Sequence, residues 1–409
     1  MRLDETLVGE YRETFRLMRY LGYNNAVIWG LYVSRDWPAD ISKAVAPERG
    51  KLVEQIIDAA HAEGLRVVSG LGVFSWGFEE LIRTYPALSR TNPKAMCASN
   101  ADAWRWMEKI TDYVFARFPI DGVSMQSADL GRCNCEQCGR FGDAEYHARI
   151  NVREAQYIRV RHKDAVVSVS GWGMKFESPE SLPYMVQMSK HLNYLIDVTN
   201  STRIAGEAYQ RDVIRQLECD FGTIGGPLVE PPQHWDRDRW FLPIVRTQGE
   251  RLSELADNGG RACEYFFHIR ANPGDEVSFW VTGKLLSGIG TPWQKHLRTT
   301  LEQLYDVSKP ATVDGLATLF VEAEDAYMNR IKPLLGGDIS MEPLVEDYAG
   351  PPVYLKRLSA EGRRQYKADL LRVGEGFRKI APDVPEKTRM AKILRSIDNV
   401  QKELSALPA

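Results

Sequence analysis

Three cysteines crowd one short stretch, GRCNCEQCGRFGDAEYH, as Cys133, Cys135 and Cys138. The spacing Cys-x-Cys-x-x-Cys brings three sulfurs close enough to grip one tetrahedral ion with little movement of the chain. A fourth ligand is then required, and Cys97 in AMCASNADAW and His147 are the two candidates. An all-thiolate shell points to a structural zinc that staples the loop, whereas three protein ligands and an open position would point to a catalytic one. Free thiols are the plain alternative. An iron–sulfur cluster is a further one, although the spacing matches none of the common ferredoxin runs. Cys219 and Cys263 sit in apolar, strand-like surroundings and read as core thiols.

Carboxylates form the second set. Asp129 follows IDGVSMQSA, at the tip of an apolar run, where an ionised group needs a chemical or structural partner. It reads as a catalytic acid, or as a residue that orders the cysteine loop or pairs with Arg132. Glu230 lies in LVEPP, where two prolines stiffen the backbone around it, and reads as a catalytic carboxylate or as an exposed loop residue. Asp197 ends the run NYLIDV and is a rival for the role of second carboxylate. Glu264, within ACEYFF, either faces a barrel interior or pairs with a base, and His268 is a proton donor, a ligand or a satisfied core histidine. Around these stand Trp29, Trp76, Trp172, His234 and Trp235, with Arg35, Arg132, Arg237 and Arg270. Indole faces stack on pyranose rings while carboxylates bind hydroxyls or move protons, so this is a palette suited to sugars.

The elements that must position these residues follow a regular alternation. Apolar runs at 24–33, 65–73, 120–125, 165–170, 193–198, 219–224 and 261–267 each follow an amphipathic helical stretch. Short apolar strands separated by helices signal a parallel sheet covered on both faces. Seven strands are one short of a (β/α)8, TIM-type barrel. The chain opens on a helical pattern, so the expected fold is such a barrel lacking its first strand, through truncation of a longer protein; an unrecognised eighth strand is the alternative. An open doubly wound sheet would show a Gly-rich phosphate loop after an early strand, and GLGVFSWG runs into aromatics instead. Past residue 298 the strands stop. Thr299–Asp306, Val313–Leu334 and Ser359–Leu404 read as helices, giving a barrel over 1–298 and a helical C-terminal domain over 299–409.

Charge is nearly balanced, 52 Lys and Arg against 55 Asp and Glu, which gives no electrostatic reason for a nucleic-acid or anionic-membrane partner. No apolar run reaches membrane-spanning length, so no membrane insertion is expected. The polar start MRLDETLVGEYRETF lacks a secretory h-region, which places the chain in the cytoplasm as written, or in the periplasm or outside the cell if an N-terminal segment is missing. No organic cofactor is indicated. The expected partners are a carbohydrate ligand and a second copy of the chain in a homo-oligomer.

The stretch MCASNADAWRWMEKITDYVFARFPIDGVSMQSADLGRCNCEQC resembles the corresponding part of glycoside-hydrolase-type barrels of the α-glucuronidase and β-N-acetylhexosaminidase group. Those proteins carry a Cys-x-(Ser/Pro)-Asn-Pro helix start, then Phe/Tyr-Pro-x-Asp-Gly, an acidic residue and a cysteine-containing loop; uncharacterised relatives share the Cys-x-Cys-x-x-Cys. Ala101 stands here where the helix start has Pro. The resemblance implies a (β/α)8 barrel, with a helical C-terminal region in the α-glucuronidase-like members. It implies Asp129 as general acid at the fourth barrel strand, with Asp197 at the sixth and Glu230 after the seventh as base or nucleophile. Hexosaminidases of the group carry a consecutive Asp-Glu pair where this chain has Ala128-Asp129-Leu130, which argues against acetamido-assisted hydrolysis. The expectation is a glycoside hydrolase acting on a uronic-acid or amino-sugar glycoside. Its rivals are a non-catalytic carbohydrate-binding barrel and a zinc-dependent hydrolase.

Overall fold

The computed structural model describes residues 3–33, 35–171, 174, 176, 178–197, 207–225, 241–265, 273–288, 290–335, 355 and 358–407. Two compact units share the chain: Met1–Thr223 with Asn258–Ala262, and Ile224–Asp257 with Cys263–Ala409.

Seven strands form one sheet in sequential order: β1 (Asn25–Ile28), β2 (Arg66–Gly72), β3 (Gly122–Gln126), β4 (Val166–Ser170), β5 (Tyr194–Asp197), β6 (Asp220–Gly225) and β7 (Ala262–Tyr265). From β1 to β6 every pairing is parallel. Helices α1 (Glu5–Tyr20), α2 (Pro47–Ala62), α3 (Glu79–Thr84), α4 (Ala101–Arg117), α5 (Glu136–Gly139), α6 (Asp143–Arg161), α7 (Leu182–Ser189), α8 (Glu207–Ile214) and α9 (Val245–Asp257) fill the stretches before and between the strands. Strand, crossover helix and next parallel strand repeat as in a partial α/β barrel. Every strand is one that the sequence pattern predicts. The eighth strand of a closed barrel is not found among the described residues, so the full (β/α)8 expectation is met only in part.

Local chemistry explains the element ends. Asp4 caps α1 by accepting from Leu7 N at 3.0 Å, and Asn100 caps α4 by accepting from Asp102 N at 2.8 Å. Pro47 opens α2 where its missing N–H costs nothing, and Gly64, at φ +72°, follows its end.

In the second unit, α9 is followed by α10 (Pro273–Ser287), α11 (Trp293–Tyr305) and α12 (Pro310–Asp325). The buried carboxylate of Glu324 accepts from Arg246 N and Thr247 N, both at 2.7 Å, so α12 satisfies the orphan donors at the start of α9. Phe241, Phe320 and Phe377 pack edge to face with centroids 5.4–5.7 Å apart. The single helix expected over Ser359–Leu404 is two, Ala360–Ile380 and Lys387–Ala406. Pro382 and Pro385 lie in the break, and neither has an N–H to continue the ladder. No described helix is long and apolar enough to cross a membrane.

Candidate functional site

Register sorts the strand residues of the first unit between two faces, because parallel partners point the same way while neighbours alternate. Trp29, just past β1, lies over Gly70, where an added Cβ would fall 2.1 Å from the indole. Gly70 pairs with Ser124, Ser124 with Ser168, and Ser168 with Tyr194. These residues therefore share one face, with Gly72, Gly122, Gln126 and Ser170 in the same phase. The other face carries Val67, Val123, Val167 and Leu195, all fully buried. Val68, Val166 and Ile196 lie in the phase of Gly70 as well, and it is Gly70 that leaves room for the indole. Gly70→Ala should displace Trp29, costing about 1–3 kcal/mol by overpacking and shifting tryptophan fluorescence. Unchanged denaturant stability together with unchanged emission would show that Trp29 does not rest there.

The loop after β2 is strained. Phe74 and Trp76 have φ of 63° and 70°, a region that bulky residues enter only when their surroundings hold them. Several contacts do so. Met96 N donates to Phe74 O at 2.8 Å, Ser75 bridges to Ala95, and Trp37 N donates to Gly77 O at 2.8 Å. The result sets Trp76 edge-on to Trp29, centroids 5.2 Å apart.

Asp129 occupies a tight turn three residues past β3. Gly131 N closes the turn onto Ala128 O at 3.0 Å, and Ala128 N donates to Gln126 Oε1 at 2.8 Å. Leu130 N donates to Ser75 Oγ at 2.9 Å, so the Asp129 turn leans on the Trp76 loop. Asp129 is half-buried and, among the described residues, makes no hydrogen bond or ion pair. Burial holds its carboxyl above the usual aspartate range. Arg132 is not its partner: its guanidinium pairs with Asp143 at 2.8 Å and donates to Cys138 O at 3.1 Å and Phe141 O at 2.9 Å.

Asp197 is buried and pairs in register with Thr223, which puts it on Leu195's face, opposite that of Trp29. In the second unit, Cys263 accepts from Gln248 Nε2 on α9 at 3.7 Å and Tyr265 donates to Asp275 Oδ1 on α10 at 2.6 Å. Alternation therefore turns Glu264 away from those helices, and burial pushes its carboxyl up to about 7. Arg35 is exposed, 3.6 Å from both Asp36 and Glu79. Trp172, Glu230, His234, Trp235, Arg237, His268 and Arg270 lie outside the described residues.

The cysteine group is the most complete constellation. Cys97, Cys133, Cys135 and Cys138 bring their sulfurs within 4.8 Å of one another, with Cys97 at 3.7 Å from Cys135 and 3.9 Å from Cys138. Four sulfurs about 2.3 Å from a tetrahedral ion would lie about 3.8 Å apart, so the group could hold a metal ion. Hydroxyls surround it: Thr91 Oγ1 donates to Cys133 Sγ at 3.4 Å, and Ser99 Oγ lies 3.0 Å from Cys97 Sγ. The buried Tyr146 hydroxyl has no hydrogen-bond partner among the described residues. His147, the other candidate ligand, has Nδ1 3.1 Å from Ser127 Oγ, and burial lowers it to about 4, so it is neutral. Thr91, Asn92, Ser75 and Ser99 carry no motif in sequence; only their placement shows what they do.

No family model matches the chain, and no curated protein sequence does. Solved structures share its fold at low identity. One is a GH138 enzyme targeting pectin rhamnogalacturonan II, with TM-score 0.59 and 10% identity over 97% of this chain and 53% of that one. Another is a mutant O-GlcNAc hydrolase of Thermobaculum terrenum, with TM-score 0.53 and 11% identity over 97% of this chain and 78% of that one. The chain thus spans about half the length of the GH138 enzyme. The fold is of the type that glycoside hydrolases use.

Proposed function

We propose that this chain is a glycoside hydrolase that cleaves a uronic-acid or amino-sugar glycoside, with Asp129 as the proton donor to the departing oxygen. The observation that carries this reading is Asp129 itself: a half-buried carboxyl after a parallel strand, with no partner among the described residues and an acidity weakened by burial. Groups with those properties serve general acid catalysis, and in parallel barrels they sit at the strand ends. Glu230 and Asp197 are the candidates for base or nucleophile. Of the two, Glu230 is favoured, because register puts Asp197 on the face opposite that of Trp29. The likeness in fold to a GH138 enzyme and an O-GlcNAc hydrolase supports the reaction class.

The metal is proposed to be zinc in a structural role. Four sulfurs close a tetrahedral shell and leave no position for water, which argues against the zinc-dependent hydrolase. The test is release of reducing sugar from a panel of uronic-acid and amino-sugar oligosaccharides by the wild type and Asp129→Asn. Release by both alike would sink the acid assignment. Binding without release by the wild type would leave the carbohydrate-binding barrel.

A further inference from the structure

One segment, residues 91–97, belongs to no helix or strand, yet it contacts the chain just after Asp129, the loop after β2 and the cysteine group. Near its start, Asn92 Nδ2 donates to Leu130 O at 3.0 Å and to Arg132 O at 3.4 Å, gripping the two carbonyls that flank Gly131. Beside it, Thr91 Oγ1 accepts from Asn134 N at 2.7 Å. In its middle, Ala95 and Met96 hold the strained loop of Phe74 and Trp76. Its end is Cys97, whose sulfur lies among those of Cys133, Cys135 and Cys138. The segment therefore meets the Asp129 turn twice, through Asn92 and, by way of Ser75, through the Trp76 loop.

We propose that a zinc ion on Cys97, Cys133, Cys135 and Cys138 works as a positioning clamp, locking residues 91–97 against the turn so that Asn92 and Ser75 fix Asp129 and Trp76. The ion touches no substrate. Its coordination joins Cys97 to the cysteine loop across a closed circuit of 91–97, the Asp129 turn and the Trp76 loop. Without it the circuit keeps the hydrogen bonds of Thr91, Asn92 and Ser75 and the short backbone bridge at Ala95 and Met96, and such bonds open more easily near solvent than metal coordination. Asn92 is a positioning residue in this scheme. Its catalytic consequence rests on the glycoside hydrolase reading, whereas the clamp itself does not.

Elemental analysis of the purified chain should find one zinc per chain, and amide hydrogen exchange then reads the clamp directly. Stripping the zinc with a chelator should speed exchange at Leu130, Gly131 and Asn134 by about tenfold or more, with α4 and β3 still protected. Added zinc should restore the slow rates. Asn92→Ala should keep its zinc but loosen the same turn and, on any glycoside the enzyme cleaves, lower kcat while leaving KM within about twofold. A chain that takes up no zinc, or exchange over 128–134 that ignores the metal, would overturn the proposal. So would α4 and β3 losing protection together with the turn, which would make the ion a general folding ligand. Zinc-dependent exchange in a chain that cleaves no glycoside would uphold the clamp and end the hydrolase reading. Turnover and exchange both indifferent to the chelator would do the reverse.

Discussion

Asp129→Asn is expected to lower turnover of glycosides with sugar leaving groups by roughly a hundredfold to ten-thousandfold, the range in which a positioned general acid contributes. The amide fills nearly the same space and has no proton to give. Aryl glycosides whose phenols leave without protonation should lose far less, and that contrast separates an acid from a mere binding group. Stability supplies a second contrast. Asp129 makes no hydrogen bond or ion pair among the described residues, so a residue that only ordered the cysteine loop through its charge is not what the geometry shows. Asp129→Asn should therefore unfold within about 0.5 kcal/mol of the parent, as substitutions that break no buried contact do. The pH profile follows from the direction of its shift: burial raises the carboxyl, so the protonated, active form survives to higher pH than an ordinary aspartate would allow. Turnover should fall as pH rises through that carboxyl, and the variant should lack this limb. A variant that keeps full activity on sugar leaving groups, or one that unfolds, would place Asp129 among the structural residues.

Much of this arrangement was legible in sequence, because the strands of a covered parallel sheet are short apolar runs, and each of the seven overlaps one. Their ends were less so. The first run extends to Val33 by composition, but β1 stops at Ile28, and Gly30, at φ +77°, turns the chain away. The cysteine group was visible as three sulfurs in a motif and a fourth at a distance. Choosing Cys97 over His147 needed the fold, since α4 and β3 separate Cys97 from Cys133 in the chain and only strand pairing brings them together. Asp197 shows the limit of reading a carboxylate at a strand end. Type and position suggest chemistry, but the face it occupies depends on a register that one run cannot reveal. Asn92 leaves no trace in the sequence, because a side chain that grips another loop's backbone follows no periodic pattern.

Glu154 tests the packing of the first unit, through a charge in a place that suits none. In α6 it falls in phase with Ile150 and Ile158, on the buried stripe of a helix otherwise rich in arginine. Thr111 Oγ1 on α4 donates to its Oε1 at 2.6 Å, while Oε2 has no partner among the described residues. Burial pushes the carboxyl from its ordinary 4.5 to about 7; Glu108 and Asp112 add to this, and Thr111 and Arg153 oppose it. The sign of the consequence follows from linkage. Between pH 4.5 and 7 the folded state holds the proton that the unfolded chain has released, so stability is fully present below that window and is lost as pH rises through it. The full loss above neutrality is about 3 kcal/mol, at roughly 1.4 kcal/mol for each pH unit between the two acidities. A glutamine side chain at this position would copy the protonated acid, keeping an acceptor for Thr111 and carrying no charge. Glu154→Gln should therefore match the wild type at pH 4.5 and exceed it by about 3 kcal/mol at pH 8.5, measured by urea unfolding at both. Parallel stability curves for the two proteins across that range would mean that the α4–α6 contact admits water enough to solvate the carboxylate. A variant weaker than the wild type at high pH would mean that the ionised group is held by a partner.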